Sequence, residues 1–177
     1  MDKKGEINMI CSTYKSPIGN LLLASKNKKL IGLWIENQKY YLSNLKEEII
    51  INDKEEVLVK TKQWLDQYFE GKKPNIEELD IEPIGSDFRK QVWKLLIQIP
   101  YGTVVTYKDI AQDIAKQKGL KQMSTQAIGN AVGHNPISII IPCHRVIGTN
   151  GNLIGYAAGI DKKRFLLKHE NENIKKE

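Results

Sequence analysis

Apolar and polar positions along the 177-residue chain follow two different periods in different places. Near the N-terminus the pattern suits strands. Residues 7–14, Ile-Asn-Met-Ile-Cys-Ser-Thr-Tyr, predict one strand. The apolar runs 19–24 and 30–35 predict two more around Lys26-Asn27-Lys28-Lys29, a hairpin arrangement. From residue 55 the period becomes helical: Val57, Leu58, Thr61, Trp64, Leu65, Tyr68 and Phe69 share a face, and Gly71 and Pro74 close the helix. Between Lys72 and Gly85 the periodicity lapses and two prolines appear, which predicts a connection between halves. The boundaries drawn from this are a first domain at 1–80, a linker at 81–85 and a second domain at 86–177.

The second half predicts mainly helices. Ser86 caps a helix carrying Phe88, Val92, Leu95, Leu96 and Ile99, and Pro100-Tyr101-Gly102 ends it. Thr106 with Asp109 forms a capping box for a helix to about Gln117, and Ser124 caps another to about His134. Two short helices joined by a short turn predict a helix-turn-helix. The second of them is built from small residues: Thr125, Ala127, Gly129, Ala131 and Gly133. Glycine costs about 1 kcal/mol relative to alanine inside a helix. The composition therefore implies close approach of this backbone to something, either a packed helix or a partner. After the Asn135-Pro136 turn, the β-branched run Ile137–Ile141 predicts a buried strand that delivers Pro142-Cys143-His144-Arg145-Val146. Gly148–Gly151 reads as a turn and Gly155–Gly159 as a small-residue loop. Asp161 is expected to cap a last helix with Phe165, Leu166 and Leu167, and the polar tail from Asn171 is expected to fray.

Charge divides the chain in the same place. Residues 1–80 hold 13 Lys against 13 acidic residues, whereas residues 88–168 hold 9 Lys and 3 Arg against 3 Asp. A neutral half joined to a basic half fits one part that builds structure and another that meets a polyanion. No apolar run is long enough for a transmembrane helix and no apolar segment follows the N-terminus, so no membrane partner and a cytoplasmic location are expected. With two distant cysteines, Cys11 and Cys143, a disulfide scaffold is excluded. No Cys/His cluster has zinc spacing and no Gly-rich phosphate loop occurs, so no metal and no cofactor are expected.

Cys143 is the candidate nucleophile. Thiolate is the reactive form of cysteine, and neighbouring cations such as Arg145, an imidazole and a following short turn lower a thiol pKa. His144 and His169, besides His134, are the candidate imidazoles, and Glu170 is a candidate to orient one, which would give a nucleophile–base–orienter sequence. The alternative for Cys143 is a small buried hydrophobe, and for His144 a hydrogen-bonded core histidine.

Ile141-Pro142-Cys143-His144-Arg145-Val146 resembles the active-site signature of the O6-alkylguanine-DNA alkyltransferases, also called methylated-DNA–protein-cysteine methyltransferases. Pro100–Tyr107, Ala127–Pro136, Gly155–Gly159 and Leu166–Glu170 are similar to the same family, so the resemblance spans about residues 86–170. It implies an α+β fold: a small N-terminal α/β domain with an antiparallel, RNase H-like sheet, then a mainly helical C-terminal domain with a helix-turn-helix. It implies DNA repair by direct damage reversal, with one irreversible transfer of an alkyl group from guanine O6, and with O4-alkylthymine as a further candidate substrate. Cys143 would accept the alkyl group, His144 would take the thiol proton through a water, and Glu170 would orient His144. Tyr107 would serve the guanine N3. Val146, Tyr156 and Ala157 would line the base pocket, and Asn135 would brace the turn. Thr125, Gln126, Ala127, Gly129, Arg145 and Thr149 would contact double-stranded DNA through its minor groove, with the protein a monomer and the target base flipped out.

Two features depart from the family pattern. Gln126 stands where an arginine commonly fills the gap left by the flipped base, and glutamine lacks the cation and the flat stacking plane. Residues 1–85 contain one Cys and no His, so the zinc site of some members is expected to be absent. Rival readings are a lesion-binding protein without repair, a helix-turn-helix regulator and a Cys-His hydrolase. The first commonly lacks the acceptor cysteine. The second would need base-reading side chains on the second helix, and the third an oxyanion hole and repeated turnover.

Overall fold

A computed structural model describes residues 8–42 and 47–174. Asn27 and Lys28 take left-handed backbone conformations, φ 53° and 64°. A two-residue hairpin turn with the right twist needs positive φ at both central positions, and here it joins β2 (Gly19–Lys26) to β3 (Lys29–Ile35). β1 (Met9–Ser16) pairs antiparallel with β2, and β4 (Ile49–Ile51) lies parallel to β1, giving the order β3-β2-β1-β4. The sequence reading included no strand at β4. Its three isoleucines are exposed, so no alternation marked it.

One face of this sheet (Leu21, Leu23, Leu33, Ile35) packs on α1 (Glu56–Phe69) through Leu58, Leu65 and Tyr68. The same apolar core continues through α2 (Asp87–Ile97), α3 (Tyr107–Lys118), α4 (Thr125–Gly133) and α5 (Ile160–Ile174), with Val92, Trp93, Leu96, Ile114, Ile128 and Leu166 all buried. Both halves of the chain thus share one core. The free edge of β3 is closed from the second half and from the connection. Leu33 N–H donates to Pro136 O at 2.8 Å and its carbonyl accepts from Ser138, while Leu30 exchanges hydrogen bonds with Asp80 and Glu82. Covering an edge strand in this way removes a row of unpaired backbone groups.

The predicted caps form. The Ser86 hydroxyl accepts from Arg89 N–H, and Ser124 accepts from Ala127 N–H. Thr106 and Asp109 make the reciprocal capping box. Gly119 ends α3 in the left-handed region at φ 66°, where a side chain would be strained, and turns the chain toward α4. The fold is α+β, with the helix-turn-helix formed by α3 and α4.

Three local expectations are corrected. The run Ile137–Ile141 is buried but is not a strand: only Ile137 bridges to β3, and Ser138–Ile140 coil in tight turns. Its backbone groups are satisfied by the Asn135 side chain and by close turns such as Ile140 N–H to Ser138 O, so no ladder is needed. Asp161 lies in the first turn of α5, after its first residue Ile160, rather than at the cap. The tail does not fray at Asn171. α5 continues through Ile174, held by Asn173 donating to His169 O, and the Ile174 side chain covers Gly102.

Candidate active site

Asn135 sets up the site. Its Nδ2 donates to Ile141 O at 2.8 Å and its Oδ1 accepts from Ile137 N–H at 3.0 Å, so one buried amide closes the loop between α4 and the cysteine. Within that loop Ile139 is held at φ 72°, a strained conformation for a β-branched residue, while its side chain is fully in the core. The loop leads into a one-turn 3-10 helix, Cys143–Arg145, followed by β6 (Val146–Ile147). β6 pairs in parallel with β5 (Val105–Thr106), which leads directly into Tyr107 and α3.

Cys143 is buried, and burial pushes its thiol up, against a hydrogen bond from Asn135 and the positive charge of Lys163. The resting thiol is therefore protonated, and the expected lowering by Arg145 does not occur. Arg145 turns inward instead. Its Nε and Nη2 hold the Glu170 carboxylate at 3.0 and 2.9 Å, and Nη1 donates to Ile99 O at 2.7 Å. Expected among the DNA contacts, this guanidinium is fully committed inside the protein. A buried arginine needs a carboxylate and a carbonyl more than a surface needs the charge.

His144 is fully buried, with Nε2 2.7 Å from Glu170 Oε1, and its Nδ1 has no hydrogen-bond partner among the described residues. Burial holds its pKa below the ordinary value despite Glu170, so the ring is neutral and Nδ1 carries a lone pair. Burial alone would raise the Glu170 carboxyl. The hydrogen bonds from His144 and Arg145 and the positive charge of Arg145 more than reverse this and hold it well below the usual carboxylate range. Glu170 also accepts from Gly102 N–H at 3.1 Å and from the Tyr68 hydroxyl at 2.8 Å.

Tyr107 opens α3 with its hydroxyl 3.0 and 3.1 Å from the carbonyls of Ile154 and Gly155, and burial pushes its pKa up to about 12. A cavity of about 460 Å³ brings Tyr107, Thr125, Gln126, Gly129 and Thr149 together with Ile154 and Gly155. Thr125, Gln126 and Thr149 are exposed, and Ala127 is half-buried beside them. Among the described residues a Cβ at Gly129 or Gly133 would meet nothing within 4 Å, so packing against them does not account for these glycines. Tyr156 and Ala157 lie in the loop before α5. The Tyr156 hydroxyl is buried without a hydrogen-bond partner among the described residues, and Ala157 O accepts from Lys39 N–H at 2.9 Å.

Two residues were missed by the sequence reading. Lys163 counted as surface charge, yet it is fully buried. Its ammonium donates to the carbonyls of Val146 and Ile154, and burial lowers its pKa to about 8. Tyr68 was one more apolar position of α1. Only its place on an apolar face, with Val57, Leu58, Trp64 and Leu65, hinted that its hydroxyl would be buried and need a partner.

A helix-turn-helix beside a buried Cys-His-carboxylate sequence defines the class, and comparison with known proteins agrees. A family model described as 6-O-methylguanine DNA methyltransferase, DNA binding domain, matches residues 87–172. Another, described as 6-O-methylguanine DNA methyltransferase, ribonuclease-like domain, matches residues 9–83. The chain belongs to the 6-O-methylguanine DNA methyltransferase family, and its second half carries that family's DNA-binding domain. The methylated-DNA–protein-cysteine methyltransferase of Methanosarcina barkeri is 41% identical, covering 94% of this chain and all of the relative. That of Haemophilus influenzae is 34% identical over 89% of this chain and 83% of the relative. A crystal structure of Mycobacterium tuberculosis OGT in complex with DNA superposes with a TM-score of 0.77 at 35% identity, covering 94% of each chain.

Proposed function

We propose that the protein reverses alkylation damage, moving an alkyl group from guanine O6 in duplex DNA to Cys143 in one irreversible turnover. The observation that carries this reading is the buried sequence of Cys143, His144 with one ring nitrogen unpartnered among the described residues, and Glu170 fixing the other nitrogen at 2.7 Å. His144 takes the thiol proton through a water, and Sγ attacks the alkyl carbon. The carbon–oxygen bond breaks as the carbon–sulfur bond forms, and the electron pair leaves with the purine. Tyr107 serves N3 of the leaving base, so that in sum the thiol proton ends on guanine and a thioether remains on Cys143. The balance closes without metal, cofactor or redox partner. Asn135 holds the loop. The carbonyls of Cys143 and Val146 retain lone pairs for the exocyclic amine, and the backbone at Tyr156 and Ala157 walls the pocket.

The target base is flipped out to reach Cys143. Thr125, Gln126, Ala127 and Gly129 of α4, with Thr149 from the flank, are the residues we assign to the minor groove. That groove is only about 6 Å wide and favours a helix face without bulk. Lys108, Lys116 and Lys121, which line an adjoining groove between α3 and the turn, are assigned to phosphates, which are read at any sequence. We divide the chain into a supporting part at 1–80, a short connection at 81–85 and a reacting part at 86–177. One chain carries every group the step uses, which supports a monomer. No helix among the described residues is long and apolar enough to cross a membrane. We place the protein in the cytoplasm because its proposed substrate is DNA.

Incubation with duplex DNA carrying radiolabelled O6-methylguanine tests the reading. One label per chain is expected, with no further uptake from excess DNA and none in Cys143→Ser. Binding without label would favour a lesion-binding or regulatory protein, and repeated turnover would favour a hydrolase. In the same system, Gln126→Arg is expected to raise duplex affinity several-fold, because the added guanidinium brings a cation and a stacking plane to the vacated base position. Titration at fixed salt reads this. Unchanged or weaker affinity would remove Gln126 from the proposed base-replacing position.

A further inference from the structure

We infer that Tyr68, from the first half of the chain, is a positioning residue for alkyl transfer, its hydroxyl setting how strongly Glu170 holds the His144 imidazole. This rests on the reading of His144 as the base. Tyr68 is 1% exposed and lies in the last turn of α1, where its hydroxyl donates to Glu170 Oε1 at 2.8 Å. The same oxygen meets His144 Nε2 at 2.7 Å and Arg145 Nη2 at 2.9 Å, so tyrosine and imidazole compete for one acceptor.

The ring of Tyr68 is explained by packing, since it stacks on Trp64 with centroids 5.7 Å apart. Its hydroxyl is not: phenylalanine would fill the same space without a buried polar group to satisfy. What the hydroxyl adds is a donor that withdraws charge from the atom holding His144. With that donor removed, Glu170 Oε1 becomes a better acceptor, the imidazolium is stabilised, and the ring protonates at higher pH. The other ionisable groups facing this cluster are Arg145 and Cys143 on its own segment, Lys163 and His169 from α5, Tyr101 after α2 and Tyr156 before α5. Replacing Tyr68 by phenylalanine leaves all of them in place.

Single-turnover transfer from labelled alkylated duplex, measured from pH 5 to 9, tests the inference. In Tyr68→Phe the acid limb of the rate profile is expected to move to higher pH by about one unit. Site-specific 3-fluorotyrosine at position 68 keeps the shape and strengthens the donor, so it should move the limb the opposite way. This second variant decides the matter if the first does not fold. A limb that stays put in both variants, or moves the same way in both, overturns the inference, even if stability falls. His144→Gln separates the two levels. If it keeps both rate and acid limb, the base reading itself fails. If the limb vanishes with His144→Gln yet ignores position 68, only the role of Tyr68 is lost.

Discussion

Glu170→Gln should cost about 3–5 kcal/mol of stability and abolish most transfer activity. The stability figure follows from what the substitution leaves behind. Arg145 is almost wholly buried and its guanidinium faces Glu170 through both Nε and Nη2. Removing one partner of a buried ion pair strands the other charge in a low-dielectric interior. The activity figure follows from His144, which would lose the carboxylate that fixes its tautomer, and general-base contributions are about 10²–10⁴-fold. The pH dependence carries its own sign. Glu170 is held below the unfolded carboxylate value of about 4.3, so its contribution is present above that pH and is lost as pH falls through and below it. His144 is also depressed by burial, so its contribution begins to be lost below the unfolded value of about 6.5. Urea unfolding should show stability flat near neutrality and falling on the acid side. In Glu170→Gln the carboxylate part of that fall should disappear. A variant with wild-type stability and an unchanged acid slope would contradict the buried-pair account.

Alkylation should destabilise the protein by about 1–3 kcal/mol, the usual cost of forcing extra methylenes into a packed interior. Cys143 belongs to the main apolar cluster, only 5% exposed, and follows a loop already strained at Ile139. At this chain length each kcal/mol is worth about 2–4 °C of melting temperature. Melting before and after treatment with a free-base O6-alkylguanine checks this, with larger alkyl groups giving larger shifts. Equal melting temperatures would mean that the pocket accepts the adduct without repacking.

What could be read directly from the sequence was mostly local. Ser86, Thr106 with Asp109, and Ser124 cap helices because a side-chain oxygen accepting from an N–H three residues away is a local event. Cys143, His144 and Glu170 were legible as chemistry and as a resemblance. What lay beyond the sequence was direction. Arg145 and Lys163 were read as surface cations, yet both point inward, because residue type does not say which way a chain turns. Ile137–Ile141 signalled burial correctly and strand wrongly, since the Asn135 amide together with close turns replaced the ladder. The Tyr68–Glu170 contact spans 102 residues and has no local signature.

The covered edge of β3 also bears on synthesis. The β1–β3 meander leaves the ribosome early, but the segment that closes Leu33 at Ile137 emerges about 100 residues later. At about 5–20 residues per second, the nascent chain carries the Leu33 part of that edge uncovered for about 5–20 s, although the connection can close it at Leu30 earlier. Over that interval the unfinished N-terminal half is a target for chaperones or for pairing with another nascent chain, and release of the completed second half ends the exposure.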